Sequence, residues 1–141
     1  MDSIDVCEGE VPSNKGLPPA RRFEDLLVWQ KARILSKSVY QITRTKPFAK
    51  DFGLTSQAQR ASASVMANIA EGFDRRGPGE FAHFLSIAKG SCAELRSHLY
   101  IALDSDYVTE TEFSQLKAQA EQVSRFLHNL MSSLKKPTTK R

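Results

Sequence analysis

Apolar residues return every three or four positions from Phe23 onward, the spacing of helices with one buried face. The first stripe is Val28, Ala32, Leu35, Val39 and Ile42, widened by Leu26, Trp29 and Tyr40. Lys31, Arg33, Lys37 and Arg44 fall off it. Glu24 and Asp25 suit the positive end of a helix and Pro47 stops one, so a helix is predicted over 25–45. The loop 46–53 holds Phe48 and Phe52 and is expected to tuck an aromatic ring onto the end of the fold.

The second stripe, Leu54, Ala58, Ala61, Val65 and Ile69, predicts a helix over 55–71, with Thr55 or Ser56 as N-cap and Gly72 as the stop. Ala63, Ala67 and Ala70 give it a second, small face, as expected of a helix central in a bundle or shared with another subunit. The third helix, 78–104, opens on Pro78, where a missing N–H costs nothing. It carries Phe81, Phe84, Leu85, Ala88, Cys92, Leu95 and Leu99. Thr109-Glu110-Thr111-Glu112 fits the capping box that begins a fourth helix, 109–135. Its stripe is Phe113, Leu116, Ala120, Val123, Leu127, Leu130 and Leu134, flanked by Phe126 and Met131. Pro137 ends it, and Lys135 and Lys136 suit its negative end.

No strand pattern interrupts the series. Four helices with short connections predict an all-α fold, an antiparallel up-and-down four-helix bundle over residues 23–134. Residues 1–22, with Gly9, Pro12, Gly16, Pro18 and Pro19 among polar neighbours, are expected to be a disordered leader. Residues 135–141 form a basic tail.

Composition changes this picture little. The chain has 141 residues, 40% of them hydrophobic and 26% charged, as expected of one soluble domain. No apolar run is long enough for a membrane span, and the acidic start lacks the apolar core of a secretory signal, so the cytoplasm is the expected location. Cys7 and Cys92 are too far apart in sequence to suggest a disulfide framework or a metal spacing, and Cys92 falls on an apolar stripe. His83, His98 and His128 form no ligand pattern, and no cofactor is expected.

Charge changes it more. The net charge of +4 is concentrated outside the body, since residues 23–134 hold 13 basic and 12 acidic side chains. The body is nevertheless polarised. Lys31 to Arg60 holds seven basic residues and one acid, Asp51, whereas Asp104 to Glu121 holds five acids and one base, Lys117. The candidate nucleic-acid contacts are Lys31, Arg33, Lys37, Arg60, Arg75, Arg76 and the tail. Arg75-Arg76 precede a helix N-terminus, whose free N–H groups favour phosphate.

Catalytic motifs fail on context. Ser86-Ile87-Ala88-Lys89 has the Ser-x-x-Lys spacing of an acylation motif but none of its companions. Gly72 and Gly77 have phosphate-loop spacing, but Pro78-Gly79 stands where Lys-Ser/Thr is required. Glu71 is expected to meet a backbone end or Arg75, and Glu94 to meet Arg60 or Lys89, as structural bridges. Asn68 is expected to be a satisfied amide linking helices.

Several blocks together resemble a known family. They are Phe23-Glu24-Asp25-Leu26-x-Val28-Trp29-Gln30, Phe52-Gly53-Leu54-Thr55-Ser56-Gln57 and Ala67-Asn68-Ile69-Ala70-Glu71-Gly72, followed by Phe81-x-x-Phe84-Leu85-Ser86-Ile87-Ala88-Lys89-Gly90-Ser91-x-Ala93-Glu94-Leu95. The chain resembles, over about 23–134, the bacterial four-helix-bundle family named for the 23S ribosomal RNA intervening sequence. Gly77 and Gly79 flank Pro78, where relatives tend to carry Ser or Thr before the proline. The resemblance implies a homopentameric ring and no catalytic residues. The accessory variability determinant of diversity-generating retroelements, a pentamer that binds nucleic acid and a reverse transcriptase, looks like a distant relative. Five copies would repeat the cations around one axis. The expected function is therefore a non-enzymatic nucleic-acid-binding or scaffolding accessory that meets RNA or DNA. The alternative is a protein–protein adaptor that docks a partner enzyme.

Overall fold

A computed structural model describes residues 19–135, so most of the expected leader and all but the first residue of the expected tail lie outside the described residues. Four helices follow in order: α1 Leu27–Thr43, α2 Phe52–Asp74, α3 Pro78–Asp104 and α4 Glu110–Lys135. Two 3-10 turns, Phe23–Asp25 and Phe48–Lys50, precede α1 and α2, and there is no strand among the described residues. Each helix runs antiparallel to the one before it.

The predicted stripes face one another. Val28, Ala32, Leu35 and Val39 of α1 meet Ala58, Ala61, Val65 and Ile69 of α2 in one core. Leu85, Ala88, Cys92, Leu95 and Leu99 of α3, with Phe113, Leu116, Ala120, Val123 and Leu127 of α4, complete it. Burying each Leu, Ile or Phe side chain contributes on the order of 1.5–3 kcal/mol, so these periodic positions dominate the stability.

Polar bonds set the register between helices. Gln59 Nε2 donates to Thr43 Oγ1 at 2.9 Å, tying α2 to the last turn of α1. The Ser64 and Ser91 hydroxyls meet at 2.9 Å between α2 and α3. Tyr100 and Phe113 pack edge to face across α3 and α4, with ring centroids 4.8 Å apart. The α1–α4 seam is more open, a groove of about 330 Å³ lined by Ser38, Gln41, Ile42, Thr45, Glu112, Gln115, Leu116 and Gln119.

Several boundaries differ from the sequence-based expectation. Phe23–Asp25 is a separate turn, because Leu26 is extended at φ −75 and ψ 126 before α1 begins. Helix α2 starts at Phe52, because Asp51 is its cap and accepts a hydrogen bond from the Leu54 N–H at 3.0 Å. Thr55, an expected cap, lies inside the helix, where its hydroxyl donates to the Phe52 carbonyl. Gly72 does not end α2, which runs on to Asp74. It is buried against α3, where a Cβ would stand 2.6 Å from the Phe84 Cβ.

Other local signals read as expected. Glu112 N–H donates to Thr109 Oγ1 at 3.0 Å while Thr109 N–H donates to Glu112 Oε1 at 2.9 Å, closing the capping box. Pro78 opens α3 after Gly77, which supplies no side-chain cap. Of the two loop aromatics, Phe48 is buried and stacked on Tyr107 at 5.3 Å, whereas Phe52 is 79% exposed.

Candidate nucleic-acid interface

The six cations singled out by sequence do not form one patch. Lys31, Arg33 and Lys37 lie on α1, Arg60 on α2, and Arg75 and Arg76 in the α2–α3 turn at the opposite end of the bundle from the α1–α2 loop. Arg33 and Lys37 are one turn apart and exposed, and Arg44 just after α1 returns to the same helical phase. These three share the outward face of α1 over about 16 Å, at 1.5 Å per residue.

Half-buried aromatic rings interleave with them. The Arg33 guanidinium lies 5.9 Å from the Trp29 ring centroid, and that of Arg44 lies 6.0 Å from Tyr40. Such stacking orients a guanidinium without removing its charge. Lys46 and Lys50, both exposed, carry the positive charge onto the α1–α2 loop. From Leu27 to Lys50 there are six basic residues and no acidic one. None of the six takes part in an ion pair among the described residues.

The other candidates sit elsewhere. Lys31 is half buried at the helical phase of Ser38 and Ile42, on the flank that faces α4. Arg60 is exposed one turn before Ser64, on the α3 flank of α2, and no ion pair joins Glu94 to Arg60 or Lys89 among the described residues. Arg75 is already occupied. Its guanidinium lies 3.0 Å from Glu71 and 3.6 Å from Glu80, and over the Phe84 ring at 5.0 Å. The hydrogen bond to Glu71 foremost, and then the Glu80 charge, hold its pKa above the ordinary arginine value. Arg76 is exposed with φ 68, the left-handed turn that stops α2 from continuing. It lines a cavity of about 570 Å³ with Arg21, Asp74, Phe73, Phe81 and Leu134.

Ser86, Cys92 and Asn68 are each engaged within the bundle. The Ser86 hydroxyl donates to the His83 carbonyl of its own helix at 2.6 Å. Cys92 is fully buried, and burial pushes its thiol up to about 12. Asn68 does not itself bridge helices as expected. Its amide donates back to the carbonyl and hydroxyl of Ser64, at 2.8 and 3.0 Å, so it braces the Ser64–Ser91 link from within α2. Among the described residues no cluster of three His, Cys, Asp or Glu side chains is placed to hold a metal, and no helix is long and apolar enough to cross a membrane.

The blocks that shape this bundle match the model of the family described as 23S rRNA-intervening sequence protein, over residues 24–129. The chain belongs to that family. It is also similar to the 1.70 Å crystal structure of a protein of unknown function from the S23 ribosomal protein family of Bacteroides thetaiotaomicron, with 19% identity and a TM-score of 0.69. That similarity covers 74% of this chain and 98% of the other, and at this identity it speaks to the fold. No curated protein matches the chain.

Arg44, Lys46 and Lys50 extend the candidate interface beyond the cations named from sequence. A signal for the three cations was present in the unbroken absence of acids from Leu27 to Lys50. Nothing in sequence distinguished Phe52 from Phe48.

Proposed function

We propose that this is a non-enzymatic, oligomeric nucleic-acid-binding accessory whose outward α1 face meets the phosphate backbone. The observation that carries the reading is the segment Leu27–Lys50, with six cations, no acid and, among the described residues, no ion pair to neutralise them. Binding of such a surface to a polyanion is driven by release of condensed counterions and weakens steeply with salt. Arg60 and Arg76 add charge on other faces, and Arg75 adds less because two carboxylates already compensate it.

One copy presents few cations, so the reading includes assembly into the homopentameric ring that the family resemblance implies, in the cytoplasm. Supporting it, Ala63 and Ala67 leave the small face of α2 exposed in the single chain, and Ile87 and Ile101 are exposed on α3. A ring would repeat the α1 stripe and raise avidity. The adaptor reading, in which the ring docks a partner protein without nucleic acid, is favoured instead by the exposed Ile34, Phe52 and Tyr100.

Titration of the full chain with short RNA and DNA separates the two. The nucleic-acid reading expects affinity to fall by orders of magnitude between about 50 and about 200 mM salt if several phosphates are contacted. It also expects Arg33→Glu, Lys37→Glu and Arg44→Glu together to abolish binding. No binding at low salt, or full binding by that variant, overturns it. Light scattering that reports a monomer at micromolar concentration overturns the assembly.

A further inference from the structure

We infer that the ligand of this face is single-stranded, and that Phe52 is a stacking platform for an unpaired base at the end of the α1 cation stripe. The inference rests on the nucleic-acid reading above and narrows it to strands with free bases.

Phe52 is the first residue of α2 and is 79% exposed, against 40–48% for the other exposed large hydrophobics. The fold does not call for its ring. Phe48 fills the aromatic position beneath the loop, stacked on Tyr107. Asp51 caps the helix, and Phe52 contributes its backbone carbonyl to Thr55. No aromatic partner covers it among the described residues.

Its setting matches a nucleic-acid strand. Two turns along α2, on the same face, Gln59 bonds to Thr43 in the last turn of α1, and Arg44 is the next residue. The ring therefore stands about 10 Å beyond the last turn of α1, at 1.5 Å per residue, with exposed Lys46 and Lys50 in the loop between. The adjacent acid keeps its charge, but its carboxylate is held by the fold. Asp51 spends one carboxylate oxygen on the Leu54 N–H and the other on the Tyr107 hydroxyl, at 3.0 and 2.9 Å. The remaining acids of that end are Asp104, Asp106 and Glu110 of the α3–α4 connection, whose Tyr107 reaches Asp51, and Glu112, which lines the α1–α4 groove beside Thr45. A duplex keeps its base faces stacked internally. An exposed ring beside a cation track therefore gains little from a duplex, whereas any unpaired base can stack on it without sequence preference.

The test uses the full chain, oligothymidylate and oligouridylate as probes, a duplex of matched length, and fluorescence anisotropy at low salt. Phe52→Ala is expected to weaken single-strand binding roughly 5- to 150-fold while changing duplex binding by less than about twofold, the range that loss of one base stack gives. Phe52→Leu should resemble Phe52→Ala, and Phe52→Trp should bind normally with its indole emission quenched by the strand. Wild-type affinity in Phe52→Ala, equal losses on both probes, or full rescue by Phe52→Leu overturns the inference. So does a lower mass for Phe52→Ala in light scattering, which would make Phe52 a contact between copies, or capture of a protein instead of a strand. If the triple Glu variant loses binding while Phe52→Ala keeps it, the nucleic-acid reading stands and this inference falls. If the wild type binds no strand, both fall.

Discussion

Gly72 of α2 lies so close to Phe84 of α3 that a Cβ at position 72 would stand 2.6 Å from the Phe84 Cβ. The next neighbours are Phe81 Cδ1 at 3.1 Å and the Phe81 carbonyl oxygen at 3.4 Å. Phe84 Cβ is fixed to the backbone, so α3 itself would have to shift. Gly72→Ala is therefore expected to lower stability by about 1–3 kcal/mol through overpacking, outweighing the roughly 1 kcal/mol that alanine gains over glycine in a helix. Urea unfolding followed by circular dichroism measures it. Gly90 of α3 is the control, because nothing lies within 4 Å of its would-be Cβ. Gly90→Ala should stabilise by about 0.5–1 kcal/mol. A lowered midpoint there would mean that another copy packs against that face.

Asp51 joins two connections at one end of the bundle, as the cap of α2 and as the acceptor of the Tyr107 hydroxyl from beyond α3. Asp51→Ala should cost about 1–2 kcal/mol at neutral pH, at the upper end of what an N-cap contributes. Tyr107 provides the pH dependence. Its hydrogen bond to Asp51, then burial, then the Asp51 charge raise its pKa above the ordinary tyrosine value. A raised folded pKa means that this stabilisation is complete below the unfolded value and is lost as pH rises through the folded one. Wild type should lose more stability than Tyr107→Phe as pH rises above about 10, the ordinary tyrosine value. Parallel loss in the two proteins would remove Tyr107 as the cause.

What was legible in sequence was what local chemistry decides. Pro78, the Thr109–Glu112 box and the apolar stripes act within a turn or two, and each was read correctly. Asp51, Thr55 and Ser56 are all competent caps, and Tyr107, fifty-six positions away, helps fix Asp51 as the one used. Gly72 sits near a helix end, where glycine has two explanations, and only the approach of Phe84 decides between them. Phe48 and Phe52 are equivalent in sequence until Tyr107 takes one of them. The candidate interface suffered most. A list of cations does not show which are compensated, and the contact of Arg75 with Glu80 forms only when the turn folds back on itself.

Cys92 is expected to be chemically silent in the native protein. It is fully buried among α3 packing residues, and with its pKa pushed up to about 12 almost none of it is thiolate at neutral pH. In a Cys7→Ser background, a thiol reagent should label the native protein negligibly and stoichiometrically only in denaturant. Rapid labelling at pH 8 without denaturant would show that the α3 core opens on the timescale of the reaction.

The distinction between free and compensated cations makes a quantitative prediction about salt. Each cation that contacts a single strand contributes about 0.7 to the slope of log affinity against log salt. Arg33→Gln, Lys37→Gln and Arg44→Gln together should therefore flatten that slope by about 2, and Phe52→Ala should leave it unchanged while lowering affinity. Lys31→Gln should change it little, because Lys31 is half buried on the α4 flank. Arg75→Gln is the sharper comparison, since it also exposes Glu71 and Glu80 without their partner. It should lower affinity modestly through added negative charge at the far end of the bundle while keeping the slope of the wild type. If Arg75→Gln flattened the slope as much as the triple change, phosphate would be held at the α2–α3 turn, and the outward face of α1 would lose its claim to be the interface.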